Sequence, residues 1–535
     1  MKKLYVWVMS VMFAICALSL TACAGGSGKV YAVTYDGVKT LGSIGEIGGY
    51  TVAATNNDAA ADGIVASPYF TLEINGAGVP VYGARTTNGI HSFSYVDVER
   101  EKGGEFLLNI RLTVSDSAAV LEKPSPTVTV LPESAGVSAT LKNRVVSAKL
   151  KKTGSFSFVF NKGYTEAFTL FVAEYEVFSA PDGYQTTELA PGEHTAKETN
   201  FTQGETVYRF KAGRHKTDVI RLPADSVLYF EPGAYIEVTP VTTGGDGYAI
   251  RGVGKNIRVA GRGLIDMSAC PGGDRVAGGR RPGISFYGAK NVSVEGLTII
   301  NSHTWTLTFS NCETVKVKNN LLLGYRTYSD GIMLSDCRDG IVEDCFVRTG
   351  DDAVEVKSAS DEGTTDNILF QRCAVWTDKA SAYGAIYETN RDIKNVTFRD
   401  CSVGFAVQAS INAGPMVIQQ GRTPNTKIHD IRFENIEVYT TYNPVINITI
   451  RSYGGNSIYG NIYDIYFKNI TVAHNRSGVA VNVRSDNTAT GKIGAIYVDS
   501  LTTDAGGFTA DDIATDAVKT HAGWDTSNLK VNTLS

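Results

Sequence analysis

The sequence predicts an all-β chain in two parts, an antiparallel β-sandwich followed by a parallel β-solenoid, and three observations carry that expectation. Short β-rich runs alternate with turn formers through the first part. A frame of apolar residue, two mostly polar residues, apolar residue recurs through the second. Long helical periodicity is absent throughout.

From about Val30 to Arg214 the runs FTLEI, FLLNIRLTV, TVTVL, FSFVF and AFTLFVAEYEV are divided by Gly, Pro, Asn and Asp. Runs of that length, bounded by turn formers, read as half-buried strands, and many in succession make two sheets packed face to face. The sandwich is placed at residues 30–213.

The recurring frame is VEGL at Val294, VEDC at Val342, FQRC at Phe370, FRDC at Phe398, FENI at Phe433, FKNI at Phe467 and VDSL at Val498, with VKNN at Val317 a degenerate copy. Successive copies lie 23 to 35 residues apart. A repeat so rich in β-branched and aromatic residues fits a solenoid in which each coil stacks on the one before, the longer intervals holding inserted loops. A propeller needs about four strands per repeat, more than the shorter intervals hold. The solenoid is placed at 214–510, with 511–535 a tail. Cys345, Cys373 and Cys401 occupy the frame position that Leu297, Ile436, Ile470 and Leu501 fill elsewhere, so they read as core thiols. With no CxxC, and no His close to any Cys, neither a metal site nor a cofactor is expected.

The chemistry is concentrated in YSDGIMLSDCRDGIVEDCFVRTGDDAVEVKS, residues 328 to 358. Asp351 follows Asp330 by 21 residues, close to one coil, which brings the two onto one side of the solenoid in layers roughly 4.8 Å apart. Within a regular strand Asp351 and Asp352 would face opposite ways, and burying one without a partner costs several kcal/mol. A bend at Gly350 lets both reach the same face, and Gly331 does the same for Asp330. Three adjacent acids cannot all stay ionised at neutral pH, so at least one holds a proton beside an ionised neighbour. Glycoside hydrolysis needs that pairing of general acid and general base. Either acidic motif alone is ordinary turn chemistry; the two set one coil apart favour a site.

These residues resemble the polygalacturonase family, glycoside hydrolase family 28, over roughly residues 205 to 475. NSHTWTL (Asn301–Leu307) is similar to the family's Asn-Ser-Pro-x-Trp stretch, YSDGIML to its Asn-Thr-Asp-Gly motif, and GDDAVEVKS to its Gly-Asp-Asp-Cys-Ile-x-Ile-Lys motif. The resemblance implies a right-handed, pectin-lyase-like β-helix and an inverting hydrolase, with Asp351 the general acid and Asp330 and Asp352 holding the water. Two motifs depart from the pattern. Where the family has Gly-His-Gly, this chain has Ala382-Tyr383-Gly384, so Tyr383 is the candidate substitute; at the Arg-Ile-Lys motif, Thr449 and Arg451 replace the two cations. The sandwich-plus-solenoid plan is similar to that of the family 49 dextranases, which act on neutral glucan, so the sugar stays open.

Other candidate substrate contacts are Lys357, which the resemblance carries, Arg451 through its planar fork, Trp305 and Tyr325 as stacking platforms, Glu388 and His303. For each there is a plainer role: exposed strand residue, salt bridge, packing aromatic or hydrogen-bonded turn residue. A calcium-dependent polysaccharide lyase, with Asp330, Asp351, Asp352 and Glu355 as ligands, is the rival chemistry. A non-catalytic surface glycan-binding protein is the rival class.

Lys2-Lys3, the apolar stretch Leu4–Leu20, and LTAC before AGGSG resemble a bacterial lipoprotein signal, with residues 1–22 removed, Cys23 lipidated and 23–29 a tether. The expected location is extracytoplasmic, held to a membrane by that lipid. The expected partner is a polysaccharide. A net charge of -5 with no basic excess argues against nucleic acid.

Overall fold

The computed structural model describes residues 18–20, 28–36, 38–40, 63–100, 104–116, 118–122, 125–240, 248–270, 282–360, 363–410, 412–420, 426–450, 460–485, 492–507, 513–514 and 529–532. Cys23 and most of the expected signal and tether lie outside them, as does Arg451. The described chain is almost entirely strand, and two short 3-10 turns are its only helical elements.

The N-terminal strands form a nine-stranded and a five-stranded sheet. Alternation builds them: in Phe70–Ile74 the residues Phe70, Leu72 and Ile74 are buried while Thr71 faces out. Their inward faces close over Phe70, Leu112, Phe158, Phe160 and Leu170. Most pairings are antiparallel, but Phe168–Glu174 lies parallel to Gly89–Glu99. Gly89–Glu99 is buried along nearly its whole length because the nine-stranded sheet has a second apolar face. There Tyr35, Phe93, Tyr95 and Phe171 pack on Leu321, Phe346, Trp376 and Phe405 of the solenoid.

The solenoid is a parallel β-helix, its coils stacked into an eleven-stranded sheet and a larger bent sheet. The sequence frame is its real register, since Val294, Val317, Val342, Phe370, Phe398, Phe433, Phe467 and Val498 pair in one continuous column. Within it Phe370, Phe398, Phe433 and Phe467 stack at 4.7 to 5.1 Å between ring centres. The frame's third residue bends the chain. Asn319, Asp344, Arg372, Asp400, Asn435, Asn469 and Ser500 all take φ of 52° to 60°, where Asn and Asp are the least strained side chains. Cys345, Cys373 and Cys401 are free and buried in the core, as are Cys270, Cys312 and Cys337. The degenerate copy has its own physical cause: Asn320 fills the thiol's place, donating to the Val294 and Lys318 carbonyls and accepting from the Leu297 N–H.

Both expected solenoid limits shift. Parallel stacking begins at Gln185–Leu189 on Thr206–Phe210, ahead of residue 214. Four of the five side chains in that first strand are exposed, so it carries no apolar signal. Beyond residue 510, Ile513–Ala514 still pairs with Val481–Asn482 and Leu529–Asn532 with Ile496–Asp499.

Truncating the middle of the phenylalanine column tests this packing. Phe398→Ala is expected to destabilise the chain by about 3–5 kcal/mol in chemical denaturation.

Candidate active site

The site lies on the eleven-stranded sheet, where Leu307–Ser310, Ile332–Ser335, Val354–Ser358 and Tyr383–Thr389 follow one another. Ile332 pairs with Val354, a step of 354 − 332 = 22 residues. The same step carries Asp330 to Asp352, and the Gly331 N–H extends the ladder to the Asp352 carbonyl at 2.9 Å. The spacing of 21 pairs Asp330 with Asp351 in neighbouring layers; the register instead stacks it on Asp352, with Asp351 beside the pair. Ile332, Leu334, Val354 and Val356 point into the core. Alternation therefore turns Glu355 and Lys357 to the face of the sheet that the acids share.

Both glycines are required by close approach. A Cβ on Gly350 would lie 2.6 Å from the Tyr325 carbonyl and 2.8 Å from that of Arg326; one on Gly331 would collide with the Ala353 carbonyl. The bend at Gly350 delivers Asp351, half-buried, where its two oxygens accept from the N–H groups of Tyr328 (2.8 Å) and Asp352 (3.0 Å). Tyr328 takes a φ of 64° to make that bond, an uncommon conformation for an aromatic residue, and leaves its ring exposed beside the acid. Asp352 is buried and accepts from the Ser381 N–H at 2.9 Å.

Lys357 organises the charges. Its Nζ lies 3.3 Å from Asp330, 3.0 Å from Glu355 and 3.1 Å from Glu388. Glu388 reaches it through a bulge: the register slips between Ala385 and Thr389, and Tyr387 takes a φ of 58°. Burial works against the Lys357 charge, but Glu355, Asp330 and Glu388 outweigh it and hold the ammonium well above its ordinary range. The acids shift upward. Burial pushes Asp330 up to about 8, with Lys357 opposing and Asp351 and Asp352 adding to the rise. Asp352 rises to about 6 through burial and then through Asp351. Glu355, fully buried, is held well above its ordinary range by burial and, against the opposing Lys357, by Asp330 and Asp352.

Among the described residues, the oxygens of Asp330, Asp352 and Glu355 lie within 4.8 Å of one another, close enough to ligate a cation. The Lys357 ammonium already bonds two of the three, which removes the main support for calcium as the organising charge.

Of the other expected contacts, Glu388 and Lys357 join the cluster. His303, buried, and Trp305, half-buried, lie in the bend one coil earlier, next to Asp330, whose carbonyl accepts from the Thr306 N–H at 2.7 Å. Two expectations are corrected. Tyr383 points into the core and donates to the Cys373 and Ser402 carbonyls, so it cannot replace a histidine in the cleft. Tyr325 is fully buried, its ring covered by Arg85 of the sandwich at 4.3 Å. Thr449 is buried two coils beyond Tyr383, with Val417 and Gln419 on the coil between. Two participants stand outside the expected catalytic residues and substrate contacts, Glu355 being named only as a calcium ligand of the rival lyase. Tyr328 owes its place to its φ, which leaves no mark in sequence; Glu355 was legible as a charged residue between Val354 and Val356.

Residues 278–504 match the family model described as Glycosyl hydrolases family 28. An exopolygalacturonase of Arabidopsis thaliana is 27% identical over 192 residues, 35% of this chain and 43% of that protein. Polygalacturonase QRT2 of the same plant is 30% identical over 80 residues, 15% of this chain and 18% of that one. The match therefore spans less than half the length of either curated relative. Among solved structures, Dex49A from Penicillium minioluteum aligns over 96% of this chain and 100% of its own, with a TM-score of 0.56 and 13% identity, a likeness of fold alone. The chain is thus a β-helix protein with an N-terminal sandwich that resembles glycosyl hydrolase family 28 over its central and C-terminal coils. The family match and the polygalacturonase relatives support a glycoside hydrolase.

The raised Asp330 has a consequence for stability. Between about pH 4, where an unfolded aspartate ionises, and about pH 8, the folded chain keeps a proton that the unfolded chain releases, so stability falls as pH rises through that window. Asp330→Asn removes this term. Its thermal midpoint is expected to exceed that of the wild type by a margin that widens toward pH 8 and closes near pH 4; a margin independent of pH would contradict the shift.

Proposed function

We propose that the chain hydrolyses polysaccharide glycosidic bonds by inversion, with Asp351 protonating the leaving oxygen and Asp352 and Asp330 activating water. The observation that carries this reading is the stack of Asp330 on Asp352 with the more accessible Asp351 at its edge. An acid must touch the glycosidic oxygen, and Asp351 is the least buried of the three. A base must be ionised, and Asp352, at about 6, loses its proton before Asp330, at about 8. Asp330 then remains a donor that orients the water while Asp352 accepts its proton. The charge of Lys357 opposes the rise of Asp352 and so favours the ionised base.

The exposed ring of Tyr328, bonded through its N–H to Asp351, and the half-buried Trp305 are the aromatic groups placed to meet a sugar ring. The substrate is proposed only as a polysaccharide. The relatives named above are polygalacturonases, while the sandwich-plus-helix plan is that of Dex49A. Export and lipid anchoring at Cys23 are part of the proposal and rest on the LTAC stretch; radiolabelled palmitate should enter the wild type and not Cys23→Ala.

Screening acidic and neutral polysaccharides, with product anomers followed by NMR, tests the reaction. New reducing ends of inverted configuration, without an ultraviolet-absorbing unsaturated product, are expected, and a retained anomer would contradict the mechanism. Asp351→Asn is expected to lower kcat by about 10²- to 10⁴-fold with substrate affinity kept, whereas a glycan-binding protein would show no turnover in either form. The kcat profile is expected to fall below about pH 6 as Asp352 takes up its proton.

A further inference from the structure

We infer that the β-sandwich is a positioning clamp for the aspartate pair, acting through His91, Arg348 and Asp378, rather than a separable module. The inference rests on Asp351 and Asp352 being the reacting acids. Arg348 lies on Phe346–Thr349, the strand that leads directly into Gly350-Asp351-Asp352. Its guanidinium and the Asp378 carboxylate are both fully buried, joined at 3.0 and 3.4 Å, and its remaining terminal nitrogen donates to His91 Nδ1 of the sandwich at 2.9 Å.

A guanidinium only donates, which fixes the histidine. Nδ1 accepts, so Nε2 carries the proton and donates to Thr169 Oγ1 at 2.8 Å, and Thr169 in turn bonds Ser157 at 2.8 Å. Burial first, and then the charge of Arg348, hold His91 well below its ordinary value, so the ring stays neutral and remains an acceptor. Trp376 and Phe346 close around it, with ring centres at 5.2 and 5.5 Å.

At the other end of the chain of bonds, Asp378 sits in the segment that holds the acids. Its N–H bonds the Thr349 carbonyl at 2.9 Å, and Thr349 Oγ1 donates to the Asp351 carbonyl at 2.7 Å. Three residues on, the Ser381 N–H bonds Asp352. A second tie reaches the opposite wall of the same bend: Thr87 Oγ1 donates to the Tyr325 carbonyl at 3.2 Å, and Gly350 packs against that carbonyl. Two contacts from the sandwich thus end on the two walls that set Asp351. Loosely attached domains meet through smaller, more polar interfaces; this one combines an apolar face with the largely buried ion pair of Asp97 of the sandwich and Arg262 of the solenoid at 2.8 Å. The sandwich also lies outside the segment that matches the family, so the clamp is a feature of this chain beyond that match.

His91→Leu, His91→Gln, Thr87→Val and, as a control on the far sheet, Arg111→Ala would be compared with the wild type and Asp351→Asn for release of reducing ends from polygalacturonate and from dextran. His91→Leu strands a terminal nitrogen of Arg348, and a shift of about 1 Å in the acids lowers kcat by about 10- to 100-fold with KM little changed. The acid limb of the kcat profile should move with it, because the Asp352 shift depends on its burial and on Ser381. His91→Gln, which restores an acceptor, should recover most of the loss; Thr87→Val should show a smaller loss of the same kind and carries the test if His91→Leu does not fold. Arg111→Ala should match the wild type. A folded His91→Leu or Thr87→Val with a lowered thermal midpoint but wild-type kcat and pH profile would overturn the clamp. Turnover retained by Asp351→Asn would instead overturn the reading of the acids.

Discussion

One ammonium group holds the site together. Lys357 lies within 3.3 Å of Asp330, Glu355 and Glu388, on a face where Asp352 and Asp351 complete five carboxylates. Without a cation there, so many buried acids would be driven apart or fully protonated. With one cation the charges do not balance either, and burial raises Asp330 and Glu355 so that part of the excess is taken up by protons. The proton that lets Asp330 serve as a donor to water follows from that imbalance.

The β-helix makes the imbalance sustainable. Hydrogen bonds along a parallel ladder fix the separation of successive coils, so Asp330 and Asp352 cannot drift apart to relieve their repulsion. The phenylalanine column and the buried thiols hold the coils in register from inside. Gly350 and Gly331 allow the backbone to come close enough for Asp351 to sit beside the stack. The sandwich closes the arrangement from outside, its second apolar face covering the strands that lead into the acids.

Much of this was legible because a solenoid writes its register into the sequence. The apolar frame at Val342, Phe370 and Phe398 marks residues that pair in space, and the acids could be assigned to one face from it. What escaped depends on local geometry that no spacing records. One residue of register decided which aspartate stacks on Asp330, and the coil length between copies of the frame does not resolve one residue. Tyr383 and Tyr325 look like cleft aromatics in sequence; strand alternation and the docked sandwich bury them. Glu388 needed a bulge, and Tyr328 a left-handed backbone, to reach the cluster. The solenoid's first strand, Gln185–Leu189, carries too few apolar residues to announce itself.

The protons themselves are the most direct test. Infrared difference spectroscopy of the carboxyl stretch during a pH titration reports whether buried acids stay protonated where free carboxylates are ionised. Protonated carboxyl bands are expected to persist above pH 6, with a step near pH 8 that disappears in Asp330→Asn. A spectrum in which every carboxyl proton has gone by about pH 5, as for unperturbed acids, would contradict the raised acids of the cluster and the chemistry drawn from them.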